Sequence, residues 1–184
     1  MDRKEAIQYI SILLGGTLVG ANSFLSGCKT AGNDRFTKDD IAYLNEIAET
    51  ILPETNTPGA KSAQVGQFMT VMVNDCYDEK EQAIIRNGMS TINDLSSKQF
   101  RKSFMNISPA QRHELLVQID NEQKQYTKNK KDEEPVHYFR MMKELTLLGY
   151  FTSEPGCKLA KRYMPVPGKY IGCVPYKKGE KAIV

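Results

Sequence analysis

The sequence predicts an all-α protein: a small irregular helical domain followed by an extended C-terminal strap that is rich in proline and tyrosine. Along most of the chain, apolar residues recur at intervals of three and four, the spacing that places them on one face of a helix. Residues 164–176 differ, because three prolines and two glycines in this stretch prevent a helix from forming. We therefore expect one helical domain over residues 37–184, with the strap over residues 164–184.

The first three helices are predicted from their start and stop signals. Thr37 can cap a helix that Pro53 ends, and residues 53–60 form a turn-rich loop. Apolar spacing then predicts a second helix over residues 65–77 and a third from Glu79 to about residue 95.

The later helices follow the same rules. Ser108, Pro109 and Gln111 combine a capping serine, a proline at the first helical position and a glutamine three residues after the cap. After a charged linker, Pro135 is expected to open a helix that ends at Gly149. A shorter helix is expected over residues 156–163.

The charge of the chain argues against a nucleic-acid partner. The formal net charge is +3 over 184 residues, and positive and negative residues are interspersed. A nucleic-acid-binding domain needs a strongly basic face to contact phosphates. The sequence therefore predicts no nucleic-acid binding.

Residues 1–27 have the organisation of an export signal. Arg3 and Lys4 precede a mainly apolar stretch, and the small residues Ser26 and Gly27 stand directly before Cys28. This arrangement predicts cleavage before Cys28 and lipid attachment to its thiol, with residues 28–36 as a polar tether. The mature protein is then expected on the periplasmic side, anchored to a membrane by its lipid.

Two alternatives for the first residues stay open. The apolar stretch could be an uncleaved transmembrane anchor, although Gln8, Asn22 and three glycines make it a poor ~20-residue span. The pair Arg3-Lys4 also resembles a degenerate twin-arginine signal, so the sequence does not decide the export route.

The mature chain contains no motif of a catalytic, cofactor or metal site. His113 and His137 are the only histidines and form no H-E-x-x-H pattern, which leaves too few ligands for a transition metal. Cys76, Cys157 and Cys173 form neither C-x-x-C nor C-x-x-C-H, and they allow three alternative single disulfides. No G-x-G-x-x-G or P-loop is present. The sequence therefore favours a binding or assembly role over catalysis.

Four segments of the chain resemble the gluconate 2-dehydrogenase subunit 3 family. They are residues 52–60 (LPETNTPGA), 75–77 (DCY), 139–154 (FRMMKELTLLGYFTSE) and 163–176 (YMPVPGKYIGCVPY). The likeness spans most of the mature chain. Family members commonly have aspartate in the P-x-T-D-T-P-G loop, where this chain has Asn56, so no argument can rest on a charge there.

The resemblance implies the small subunit of a membrane-bound, FAD-dependent sugar or polyol dehydrogenase. The large subunit, of the glucose-methanol-choline type, would bind FAD and oxidise the substrate, and a cytochrome c subunit often accepts the electrons. The small subunit would support folding, export or stability of the flavoprotein without a catalytic residue or cofactor of its own. Two alternatives are a free-standing periplasmic lipoprotein with a ligand-binding or scaffolding role, and an enzyme whose active site one sequence does not reveal.

Under this resemblance, aromatic and proline residues near the C-terminus mark either a partner interface or a clasp on the protein's own helices. These residues are Tyr150, Phe151, Tyr163, Pro165, Pro167, Tyr170, Pro175 and Tyr176. Cys76 and Cys173 also lie in family-like segments, and we predict a disulfide bond between them.

Overall fold

The computed structural model describes residues 36–166, 168–169, 172–173, 175 and 177–183. The expected signal peptide, the lipidation site Cys28 and all of the tether except Phe36 lie outside these described residues. So do three of the predicted interface residues, Pro167, Tyr170 and Tyr176. The helical domain spans residues Thr37–Val184.

Five α-helices and two shorter helical turns make up the described part of this domain. The α-helices are α1 (Lys38–Ile51), α2 (Val65–Cys76), α3 (Glu79–Phe100), α4 (Pro109–Asn129) and α5 (Tyr138–Thr152), with a 3-10 turn at Phe104–Asn106 and a π-helical turn at Gly156–Ala160. The described residues contain no β-strand, only an isolated bridge between Arg162 and Ile183. The predicted all-α class is confirmed.

Three of the helices begin at reciprocal capping boxes. The side chains of Thr37 and Ser108 accept hydrogen bonds from the third helical N–H, and Asp40 and Gln111 bond back to the capping residue. These two starts agree with the sequence prediction. Asp78 forms a third box at the start of α3.

Several helix ends differ from the prediction. Helix α3 continues past residue 95 to Phe100, where Arg101 adopts a left-handed conformation with φ of 57°. Helix α5 begins at Tyr138, because the His137 side chain rather than Pro135 provides its cap. It also runs through Gly149 to Thr152, and the last predicted helix is reduced to one π-helical turn that ends at Ala160.

Gly149 does not end α5 because its missing side chain is used for packing. A Cβ atom at this position would lie 2.6 Å from a ring carbon of Phe68 on α2. The glycine therefore lets α2 and α5 approach closely while the helix continues.

Helix α5 is the centre of the core and packs against each of the other four α-helices. All five α-helices contribute apolar side chains to this core, and burial of such side chains is the main stabilising contribution to a fold of this kind. The core includes Leu44, Ile47, Met69, Val73, Ile85, Ile92, Phe104, Leu115, Ile119, Phe139, Met142 and Leu145. None of the described helices is both long enough and apolar enough to cross a bilayer.

Candidate interaction surface

The family-like loop at residues 52–60 is held tightly to the helical core. The Glu49 carboxylate accepts hydrogen bonds from the backbone N–H groups of Glu54 and Lys61, both at 2.8 Å. A Cβ atom on Gly59 would lie 2.3–2.4 Å from the carboxylate oxygens and 2.6 Å from the backbone nitrogen of Glu54, so a side chain there would disturb these hydrogen bonds. The loop therefore has a structural role that does not depend on a charge at Asn56.

The hydroxyl of Tyr150 closes this loop from the opposite side. It donates a hydrogen bond of 2.7 Å to the Pro58 carbonyl, and the Tyr150 side chain is only 5 % exposed. The ring is therefore buried and its hydroxyl is used within its own chain, while contact of Tyr150 with a partner, the other option, stays a prediction. Of the two options considered for this residue, the clasp is the one observed.

An ionic cluster joins α1, the turn before α2 and α4. Glu46 forms ion pairs with Lys61 and Arg112, and Arg112 also donates to the carbonyls of Phe104 and Met105. Partial burial acts to raise the pKa of Glu46, but the hydrogen bond from Lys61 and the charge of Arg112 outweigh it. The net result is a pKa below the usual glutamate value, so the carboxylate stays charged.

Phe151 marks the junction between the helical core and the chain that follows. Its ring meets Tyr150 edge-on at 5.2 Å, and the Lys161 ammonium lies 4.8 Å from the ring centroid. Phe151 is half-buried, so part of its ring is covered by this chain and part is open.

Residues 158–183 form the C-terminal segment, and the last residues of this segment contact its first residues. The Arg162 N–H donates to the Ala182 carbonyl at 2.8 Å, and the Arg162 guanidinium lies 3.5 Å from the Glu180 carboxylate. The Lys181 ammonium donates to the Leu159 carbonyl. These contacts fasten both ends of the segment to each other beside the π-helical turn.

Apolar side chains of the C-terminal segment face solvent. Every described residue from Arg162 to Ile183 is exposed, including Tyr163, Pro165 and Pro175 of the predicted interface. Val166 is 81 % exposed, more than any other large apolar side chain among the described residues, and Tyr163 is 51 % exposed. These side chains are therefore accessible to another molecule.

Basic residues lie at the base of the segment, the place where its first and last residues meet. An open groove of about 600 Å³ is lined by Lys158, Lys161, Arg162, Tyr163, Glu180 and Lys181. The C-terminal segment contains seven lysines and arginines but only one glutamate, a formal charge of +6. Residues 36–157 contain fourteen basic and eighteen acidic residues, a formal charge of −4. The small net charge of the whole chain thus hides two regions of opposite sign.

The described cysteines are free thiols. Cys76 and Cys173 are exposed, and Cys157 is half-buried with its sulfur 3.2 Å from the Phe151 carbonyl. The predicted Cys76–Cys173 disulfide is not formed in this structure, and the pairing stays a prediction that thiol counting with and without reductant would test.

The two histidines belong to different helices. His113 is exposed on α4, and His137 caps α5 by accepting a hydrogen bond from the Phe139 N–H at 3.2 Å. Burial lowers the pKa of His137, against an opposing effect of Glu122. Within the part of the chain that the structure describes, no three His, Cys, Asp or Glu residues are grouped so that they could hold a metal ion.

The basic groove was not predicted from the sequence, although a signal for it was present. The excess of lysine and arginine after residue 157 can be counted directly, but the acidic excess of residues 36–157 offsets it in the net charge of the whole chain. The contact of Arg162 with Ala182 had no such signal, because it joins two backbone groups that no sequence pattern relates.

The fold and this surface define a small all-α protein with one exposed, basic C-terminal segment. A family model described as gluconate 2-dehydrogenase subunit 3 matches residues 38–168. The chain belongs to this family, as the sequence motifs indicated. No curated protein and no solved structure gave a significant match.

Proposed function

We propose that this protein is the non-catalytic small subunit of a membrane-bound, FAD-dependent sugar or polyol dehydrogenase. It binds the large flavoprotein subunit, of the glucose-methanol-choline type, and supports its folding, stability or export. The observation that carries this proposal is the match to the subunit 3 family over residues 38–168. FAD belongs to the large subunit, and this chain contributes neither cofactor nor catalytic residue.

The C-terminal segment is the part of the chain that we assign to the flavoprotein. Its described apolar residues are exposed although the helical domain already has a closed core. Tyr163 has an apolar ring with a polar tip, and residues of this kind are enriched where two proteins meet. Phe151 would lie at the edge of this contact, and Pro167, Tyr170 and Tyr176 would belong to it through their places in the same segment.

We further propose that the mature protein is lipid-anchored on the periplasmic side of a membrane through Cys28. This proposal rests on the residues of the N-terminal signal alone. A cytochrome c subunit would be the third member of the complex and would accept electrons from the flavoprotein, without any electron passing through this chain.

Co-expression with the flavoprotein subunit tests the proposed function. The tagged full-length chain should co-purify a protein that contains FAD and that reduces dye acceptors with a sugar or polyol. Purified alone, the chain should be colourless and inactive. A chain that binds no flavoprotein under any condition would favour the free-standing lipoprotein, and a flavin or turnover in the isolated chain would show that it is an enzyme.

A further inference from the structure

The C-terminal segment carries a large positive charge that its own structure neutralises only at the base. Lys158 pairs with Glu154 at 2.7 Å and Arg162 pairs with Glu180 at 3.5 Å. By contrast, no described carboxylate lies within ion-pair distance of Lys169, Lys177 or Lys178. Uncompensated charges of this kind attract anionic surfaces over about 10 Å at ordinary salt concentrations.

The helical body has the opposite charge, so attraction to an anionic surface would also orient the molecule. With a formal charge of −4 on residues 36–157 and +6 on residues 158–183, the chain has an electrostatic dipole. An anionic partner attracts the C-terminal segment and repels the body, which places the segment first in an encounter.

Exposed apolar side chains stand between lysines in the sequence of this segment. Tyr163, Met164 and Val166 are between 39 % and 81 % exposed, and Lys161 precedes them while Lys169 follows them in the sequence. Protein interfaces combine apolar contacts with polar groups at their rim, so exposed apolar residues that stand between lysines in the sequence suit a protein partner.

The backbone of the segment favours a protein over a lipid bilayer as the anionic partner. From residue 161 onward its described residues form no regular helix or strand, so their N–H and C=O groups lack the regular backbone partners that such elements supply. Such groups are costly to bury in hydrocarbon, whereas a protein surface can offer them hydrogen-bond partners.

We infer that the C-terminal segment docks on an acidic, carboxylate-rich surface of the flavoprotein subunit, with its lysines steering association and its exposed apolar residues forming the centre of the contact. This inference rests on the proposed function and adds the chemistry of the partner's surface to it. Charges at the rim of an interface act mainly on the association rate, and their effect weakens as salt is added.

The test compares two variants that lose the same charge. Lys169→Gln, Lys177→Gln and Lys178→Gln are combined in one variant, and Lys80→Gln, Lys98→Gln and Lys102→Gln, all exposed on the helical body, are combined in the other. Association of each purified full-length variant with the purified flavoprotein is followed at low and at physiological ionic strength. The segment variant should associate about tenfold more slowly at low salt and depend less on salt, while the body variant stays within about twofold of the wild type.

Each other outcome overturns the inference in a recognisable way. If the wild type, the segment variant and the body variant all form the complex at the same, salt-independent rate, the proposed acidic docking surface is ruled out. The proposed subunit role would not be affected. If the segment variant binds the flavoprotein normally but no longer binds phosphatidylglycerol vesicles, the lysines of the segment bind a membrane surface and not the flavoprotein. A salt-sensitive dimer of the chain alone, seen by light scattering, would assign it to a second copy. If the wild-type chain forms no complex with the flavoprotein, the proposed function is contradicted as well.

Discussion

At the scale of single residues, Tyr150 shows how a residue in a family-like segment can serve the fold itself. Its ring is buried, and its hydroxyl holds the loop at residues 52–60 by bonding to Pro58. Tyr150→Phe should therefore lower the free energy of unfolding by about 1 kcal/mol, the usual net contribution of one such hydrogen bond. Urea unfolding measures this difference.

A matched substitution shows whether the loss is specific to the buried Tyr150 hydrogen bond or follows the removal of any tyrosine hydroxyl. Tyr126 donates to the Pro135 carbonyl at 2.9 Å in an exposed position, so Tyr126→Phe should cost less because water can replace the lost partner. An equal loss for both variants would show that the clasp on Pro58 has no special importance.

Gly66 is a second residue whose role is fixed by its neighbours. A Cβ atom there would lie 2.6 Å from the Ile41 carbonyl oxygen and 2.7 Å from the Asn45 nitrogen, both backbone atoms of α1. Because backbone cannot rotate away, Gly66→Ala should destabilise the protein by about 1–3 kcal/mol in thermal or urea unfolding.

Gly149→Ala provides the comparison for this prediction. The three atoms nearest to the added methyl all belong to the half-buried Phe68 ring, which can turn, and alanine favours a helix by about 1 kcal/mol over glycine. The cost at Gly149 should therefore be smaller than at Gly66. A larger loss of stability for Gly149→Ala than for Gly66→Ala would contradict this. It would mean that α1 and α2 can separate more easily than the Phe68 ring can move.

At the scale of helices and loops, local signals predicted starts better than ends. Thr37 and Ser108 begin α1 and α4 as expected because a cap is formed by neighbouring residues alone. Gly149 was expected to end α5, since a helix-ending glycine and a packing glycine look the same in a sequence. Only the position of Phe68, far away in the chain, distinguishes the two.

The Glu46 cluster, which joins helices α1 and α4 and the turn before α2, should make stability depend on pH. Because the pKa of Glu46 is lowered in the folded state, its stabilising contribution is complete above the unfolded value of about 4.5. This contribution is lost as the pH falls through the folded pKa. Glu46→Gln should therefore cost about 1–2 kcal/mol at pH 7 and progressively less below pH 4.5 in unfolding experiments.

Glu144 offers a control for this pH dependence. Its pair with Arg140 is exposed on both sides, and such pairs contribute about 0.3–0.5 kcal/mol. Glu144→Gln should leave the pH profile nearly unchanged. A constant difference between the wild type and Glu46→Gln at all pH values would mean that the lost contribution is not electrostatic.

At the scale of the whole molecule, the chain divides into an acidic helical body and a basic, exposed C-terminal segment. The body could be predicted in class and in most helix positions, because its signals are periodicity and capping. The segment could be predicted to be non-helical from its prolines, but its closure by Arg162 and Ala182 could not, since that contact depends on the path of the chain. The separation of charge was visible in the sequence only when the two parts were counted separately.

The central claim is that this protein acts by supporting a flavoprotein and performs no chemistry itself. The most direct measurement is the amount of FAD-loaded, dye-reducing dehydrogenase in membranes of cells that lack this chain, compared with cells that carry it again. We predict that the activity and the bound FAD fall together without the chain and return with it. Full dehydrogenase activity and full FAD content in its absence would contradict the claim.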